Sequence, residues 1–190
     1  MNNNTIGTDE VYKNRTSNLD GYSNDFICSE LSKFGLNTKT PYGMSCKTIL
    51  DVACGTGIFS KEFSKYFTVK GEDISTEAIK RANIENINNK ICYDCCNILQ
   101  KDTKHDIVFA RSPSFFARFN IYSDTFSKFL DHLMNRCNKI FVFGQYNKEP
   151  GNPSYEYHSK EDIQSVFSKY GTILKNEKIG NYIYVVVKKK

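Results

Sequence analysis

The sequence predicts an α/β fold: a doubly wound, mostly parallel seven-stranded sheet with helices on both faces and an antiparallel hairpin at its C-terminal edge. Three observations predict it. Short apolar runs alternate with amphipathic helical stretches through most of the chain, the pattern of successive β-then-α steps. A glycine-rich break, Gly55-Thr56-Gly57, follows the first apolar run and precedes a helical stretch. The last two apolar runs succeed each other with only Gly180-Asn181 between them, a dipeptide suited to a tight hairpin turn.

The elements follow in order. Ser23 is placed to cap a helix whose apolar residues Ile27, Leu31 and Phe34 share one face. After a loop containing Pro41-Tyr42-Gly43, the run Thr48–Ala53 reads as a buried strand, and Phe59, Phe63 and Tyr66 beyond the glycines have helical spacing. A strand at Thr68–Glu72 leads to a helix capped by Ser75, with Ile79 and Ala82 facing inward. Strands follow at Lys90–Asp94 and Asp106–Ala110. The next helix carries Phe126, Phe129, Leu130, Leu133, Met134 and Cys137 on one stripe. Lys139–Phe143 is a fifth strand. Ser159 through Asp162 has the form of a capping box, opening a helix that bears Ile163, Val166, Phe167 and Tyr170. Ile173–Lys178 and Tyr182–Val187 form the closing pair. No internal repeat or domain boundary interrupts this, so residues 1–190 are expected to be one domain: a core from about residue 47 onward, with residues 1–22, rich in Asn and Thr, as a flexible segment or lid.

Composition excludes several classes. At 39% hydrophobic and 14% aromatic, the chain is too apolar for disorder. No run approaches the roughly 18 apolar residues of a membrane span, and the start, MNNNTIGTDE, lacks the regions of a signal peptide. Seven cysteines, an odd number without a disulfide framework, agree with a cytoplasmic location. The net charge of +5 is mild and partly due to Lys188-Lys189-Lys190, which reads as a solvated tail. The basic residues are scattered, so a nucleic-acid partner is possible but not favoured. Cys92, Cys95 and Cys96 suggest zinc by spacing alone. In an extended strand, however, Cys92 and Cys96 face away from Cys95, and no second ligand pair exists, so no metal site is assigned.

Asp51-Val52-Ala53-Cys54-Gly55-Thr56-Gly57 is the strongest functional signal. The glycines permit a sharp turn and close approach of a ligand to the backbone, at the carboxyl end of the first strand and before a helix N-terminus that favours a carboxylate. Dinucleotide folds extend this pattern to a third glycine, where this chain has Ser60.

The segment ILDVACGTG, Ile49 through Gly57, resembles the first motif of the class I S-adenosylmethionine-dependent methyltransferases, a Rossmann-like family. The resemblance runs from about Lys47 to the C-terminus. It implies that S-adenosylmethionine is the cofactor, with Asp51, Ala53, Cys54, Gly55, Thr56 and Gly57 around its methionine end. Val69 through Ser75 is similar to the second motif, whose acid holds both ribose hydroxyls; Asp73 takes that position beside Ile74, and Glu72 is the alternative. Asp94-Cys95 resembles the adenine-binding segment, and Asp106 through Arg111 the fourth strand, whose end borders the transferred methyl group.

The resemblance implies methyl transfer to a small-molecule nucleophile, with a nitrogen, oxygen or carbon acceptor left open. Alternatives are an RNA or protein side-chain acceptor, or a non-catalytic cofactor-binding module. Ser112-Pro113-Ser114-Phe115 resembles the amino-methyltransferase signature, with Ser114 where that motif has proline, or else forms a substrate-lining turn. Candidate acceptor-pocket residues are Tyr22, Arg111, Ser112 and Tyr146, with Tyr12, Tyr155 and Tyr157 as further aromatics able to roof a site. A general base is needed only when the acceptor arrives protonated. His105 precedes the fourth strand and His132 lies off its helix stripe, which leaves His158, in the loop after the fifth strand, as the candidate base.

Overall fold

The computed structural model describes Lys13 and residues 24–111, 119–146, 158–179 and 182–190, with backbone alone at 24–26 and 146. The expected cap at Ser23, the hairpin turn at Gly180-Asn181 and almost all of the N-terminal arm lie outside them. The chain divides into two compact units, residues 1–101 and 102–190.

In the first unit three parallel strands, β1 (Thr48–Val52), β2 (Thr68–Asp73) and β3 (Ile91–Cys95), lie in the order β3-β2-β1. Ile49, Leu50, Val52 and Val69 are buried, which is why these strands read as continuous apolar runs rather than as alternating ones. Three helices accompany them: α1 (Asn24–Lys33), α2 (Ile58–Phe63) and α3 (Thr76–Glu85). Helix α1 buries Ile27 and Leu31 as their spacing requires. The Ser75 hydroxyl accepts from the Ala78 N–H at 3.1 Å, the expected cap of α3. Helix α2 ends at Phe63, so Tyr66, expected on its face, lies in the turn beyond it. The chain must already re-enter the sheet at Thr68, whose N–H donates to the Lys47 carbonyl.

The second unit carries β4 (His105–Arg111), α4 (Asp124–Arg136), β5 (Cys137–Tyr146), α5 (Lys160–Phe167), β6 (Gly171–Ile179) and β7 (Tyr182–Lys189), with strand order β4-β5-β7-β6. β4 and β5 are parallel, while β7 runs antiparallel to both β5 and β6. The last strand therefore slots between β5 and the edge strand β6. Ser159 and Asp162 form the reciprocal capping box of α5. The rings of Phe126, Phe143 and Phe167 meet at 5.1–6.0 Å between centroids in the core of this unit.

Three expectations change here. Cys137 is not the last helical residue but the first of β5, opposite His105, because α4 passes into the strand without a loop. Tyr170, expected on the last helix, follows it in a turn. The terminal lysines are not simply a solvated tail. Lys189 Nζ donates to the carbonyls of Met134 and Cys137 at 2.7 Å each, satisfying acceptors that the end of α4 leaves open.

The protein thus has a seven-stranded mixed sheet with a parallel core and antiparallel C-terminal strands. Among the described residues, no helix is long and apolar enough to cross a membrane.

Candidate functional site

The loop that leaves β1 has an unusual backbone. Ala53, Gly55 and Gly57 all have positive φ, at 56°, 56° and 79°. For glycine this costs little; for Ala53 it costs about 1 kcal/mol or more, a strain that the surrounding contacts must hold.

Those contacts converge on Asp73, at the end of β2. Its Oδ2 accepts from the Gly55 N–H at 2.9 Å and its Oδ1 from the Ser75 N–H, also at 2.9 Å. One carboxylate, only 5% exposed, therefore ties the glycine loop to the start of α3. Asp51 Oδ2 accepts from the Ser60 hydroxyl at 2.6 Å, anchoring the loop to α2. Glu72 is buried, and its carbonyl accepts from the Cys54 N–H at 3.1 Å.

The loop's electrostatics are negative. Burial first, then Asp51, Asp73 and Glu72, push the Cys54 thiol well above its ordinary pKa. The Tyr93 phenol is raised in the same sense, by burial and then by Asp51. Such a field favours a cationic ligand.

Tyr93 also gives Gly57 its reason. The phenol donates to the Gly57 carbonyl at 3.4 Å, and a Cβ on Gly57 would collide with its hydroxyl. The ring reaches this position across Gly71 of β2, where a Cβ would come within 2.5 Å of Tyr93 Cδ1. The sequence suggested that the glycines make room for a ligand; at Gly57 the missing Cβ also makes room for a side chain of the protein itself. Tyr93 carries no motif of its own, and Ser60 and Ser75 were read only as the replacement of a third glycine and as a helix cap, so the contacts of these three with Gly57, Asp51 and Asp73 were missed.

At the neighbouring strand ends, Cys95 Sγ lies 3.6 Å from the Ile74 carbonyl and 3.5 Å from Thr76 Oγ1, bringing Ile74 and Cys95 together. The Ile74 side chain is 37% exposed. Asp94 pairs with Lys70 at 2.8 Å and Lys101 at 3.6 Å, and Lys70 holds its carboxyl below the usual range.

In the second unit, Arg111 closes β4. Its Nε donates to the Tyr184 hydroxyl at 3.1 Å, and its guanidinium lies 4.4 Å from the Tyr182 ring centroid. His158 is buried, 3% exposed, directly before the α5 cap. Tyr22, Ser112, Tyr155, Tyr157 and the Tyr146 side chain lie outside the described residues.

Residues 49–136 match the model of a family described as a methyltransferase domain. The fold is similar to that of the N-methyltransferase NodS from Bradyrhizobium japonicum in complex with S-adenosyl-L-homocysteine, with a TM-score of 0.72 at 14% identity, covering 98% of each chain. It is also similar to the magnesium protoporphyrin IX methyltransferase from Synechocystis with bound cofactor, at TM-score 0.65 and 13% identity over 97% of this chain and 81% of that one. An S-adenosylmethionine-dependent methyltransferase from Aquifex aeolicus gives a TM-score of 0.62 at 16% identity, covering 86% and 89% respectively. A sequence search of curated proteins finds no match. The chain carries a match to a methyltransferase domain over residues 49–136 and has the Rossmann-like fold of these S-adenosylmethionine-dependent methyltransferases of known structure. The methyltransferase domain supports an enzyme, and neighbours of known structure carry S-adenosylmethionine or S-adenosyl-L-homocysteine.

Proposed function

We propose that the protein transfers a methyl group from S-adenosylmethionine to a small-molecule nucleophile in the cytoplasm, with residues 1–190 acting as one catalytic domain. The observation that carries the cofactor half of this reading is Asp73, a buried carboxylate at the end of β2 that holds the glycine loop, and to which this reading assigns the ribose.

The residues fit the cofactor on two grounds. A carboxylate offers about four lone-pair positions, so Asp73 can keep both backbone bonds and still accept from ribose hydroxyls. The carboxylates of Asp51, Asp73 and Glu72, which after burial raise the Cys54 thiol, suit a sulfonium cation. In this reading Ala53, Cys54, Gly55, Thr56 and Gly57 surround the methionine end, Ile74 and Cys95 flank the adenine, and Asp94 takes the adenine amine with lone pairs that Lys70 leaves over. Asp51, assigned to the same methionine end, accepts from Ser60 and is thereby held against α2.

S-adenosylmethionine, when bound, supplies an already electrophilic methyl group. The chain's own work is to orient the acceptor and exclude water, and orientation of this kind contributes about 7–11 kcal/mol. Arg111 is assigned to the acceptor side, together with Tyr22, Ser112 and Tyr146. His158 serves as base if the acceptor arrives protonated.

Scattered basic residues favour a small acceptor over RNA, and the porphyrin methyltransferase shows that this fold serves small molecules. Incubation of metabolite and RNA pools with isotopically labelled S-adenosylmethionine, followed by mass spectrometry, tests the reading. Label in a metabolite supports it. Label confined to RNA or to protein overturns it.

A further inference from the structure

Strand β5 buries an unbroken run, Ile140-Phe141-Val142-Phe143-Gly144-Gln145, and only its last member is polar. Gln145 is 1% exposed. Alternation along the strand puts it on the face of Phe141 and Phe143. That face is apolar: Phe143 meets Phe126 of α4 and Phe167 of α5, and Phe141 stacks on Phe167 at 6.0 Å between centroids. The registered partner of Gln145 in β7 is Ile183, also buried.

A carboxamide brings two N–H donors and a carbonyl with two lone pairs into this layer. Among the described residues, neither its Oε1 nor its Nε2 has a hydrogen-bond partner. An unmet buried amide destabilises a fold, whereas a methionine of similar length would fill the same place with apolar atoms. Packing therefore gives no reason for an amide here. Position gives one. Gln145 is the last residue but one of β5, at the carboxyl end of the parallel pair β4 and β5, where open α/β sheets hold their ligands. The start of α4 lies at the same end, because its last turn runs directly into the beginning of β5. Tyr122, just before α4, donates to Asp162 Oδ1 in the first turn of α5 at 2.6 Å, so the two helix starts meet there. His158, the candidate base, is buried immediately before α5.

A primary amide recognises, in one plane, a group that offers a donor beside an acceptor, and forms two parallel hydrogen bonds with it. Resting on the methyltransferase reading above, we infer that Gln145 is a specificity residue that holds the methyl acceptor through such a pair. The acceptor is then a small amide or nitrogen heterocycle that presents an N–H next to a carbonyl or ring nitrogen. Selectivity follows from the same burial, because an analogue lacking either partner leaves half of the amide unmet.

The test incubates the full chain with a small-molecule extract and isotopically labelled S-adenosylmethionine, and identifies the acceptor from its labelled product by mass spectrometry. That acceptor is expected to carry the adjacent donor and acceptor. With it purified, Gln145→Met should raise KM about tenfold or more with a smaller change in kcat. Binding of S-adenosylhomocysteine, followed by calorimetry, should stay at the wild-type level. Gln145→Asn, which keeps the amide but sets it one carbon back, should raise KM less, and it decides the matter if Gln145→Met fails to fold. An amide met only by an internal water would instead lower the melting temperature of Gln145→Met and leave KM unmoved in both variants. That result, or an acceptor without the donor–acceptor pair, overturns the inference and leaves the methyltransferase reading standing. No labelled small molecule, with S-adenosylhomocysteine still bound, overturns the small-acceptor reading and this inference with it.

Discussion

Replacing Asp73 with alanine should cost the protein both fold stability and cofactor affinity, and the two losses separate experimentally. In the free protein the carboxylate already accepts two backbone bonds, from Gly55 and Ser75, each at 2.9 Å and buried. Hydrogen bonds to a charged group contribute about 1.5–3 kcal/mol each, so removing both costs about 3 kcal/mol at the lower bound. That is a large share of the 5–15 kcal/mol typical of a folded domain. At roughly 2–4 °C per kcal/mol for a chain of this size, melting should fall by about 6–12 °C without any ligand. The loop then relaxes as well, because Ala53 at φ 56° has lost part of what holds it. S-adenosylhomocysteine affinity should drop by more than the roughly tenfold expected from one ribose contact alone, since the site must also be rebuilt on binding. Glu72→Ala leaves both of these bonds in place, so its affinity loss should be much smaller. The assays are calorimetric melting of each variant and titration with S-adenosylhomocysteine below the melting range. If Asp73→Ala melts at the wild-type temperature and binds normally, or if Glu72→Ala is the weaker binder, the assignment of this carboxylate is wrong.

Further outcomes follow from other contacts at the loop and the strand ends. Gly57→Val must accept a backbone φ of 79° and displace the Tyr93 ring, so it should lower stability by about 2 kcal/mol or more in chemical denaturation; wild-type stability would refute the Tyr93 contact. Cys54 should resist iodoacetamide in native protein while Cys28, Cys92 and Cys95 react, because its thiol is held protonated and the other three are exposed. Since the folded state raises that thiol's pKa, its contribution to stability is complete below the ordinary thiol range and is lost as pH rises above it; peptide mapping showing Cys54 alkylated first would contradict the negative field. Gln145 is buried at the end of β5 and, among the described residues, neither of its amide atoms has a hydrogen-bond partner. Gln145→Met should therefore stabilise the free protein by about 1 kcal/mol, and a lower melting temperature would show that the amide is satisfied in solution.

Most of the architecture was legible because its signals are local. Ser75 and the Ser159–Asp162 box announced two helix starts, and buried apolar runs marked the strands. Ile49 through Gly57 marked the loop, and its neighbour in space, Asp73, stood at the end of the next strand as expected. What escaped depends on contacts between residues distant in the chain. Nothing in the sequence ties Lys189 to the end of α4, Tyr93 to Gly57, or Tyr184 to Arg111, since each pair meets only through strand register. Both of those tyrosines cross a glycine in the adjacent strand, Gly71 and Gly144, and a glycine inside a strand is the one available hint of such a crossing. Cys137 was misread because a helix that enters a strand without a loop keeps its apolar stripe past its last turn. His158 was read as a loop residue after the fifth strand, and it is buried there, directly before the α5 cap.

Isothermal titration of the full chain with S-adenosylhomocysteine, run beside an identical titration with NAD, tests the central claim most directly. The demethylated cofactor occupies the same loop and carboxylate without being consumed, and a ligand that binds only the native state must show in the heat and in the melting temperature. A loop with Ser60 in place of a third glycine and with Asp51, Glu72 and Asp73 around it should bind S-adenosylhomocysteine at one site per chain and leave NAD unbound. Saturable binding of NAD, with no heat from S-adenosylhomocysteine, would contradict the account.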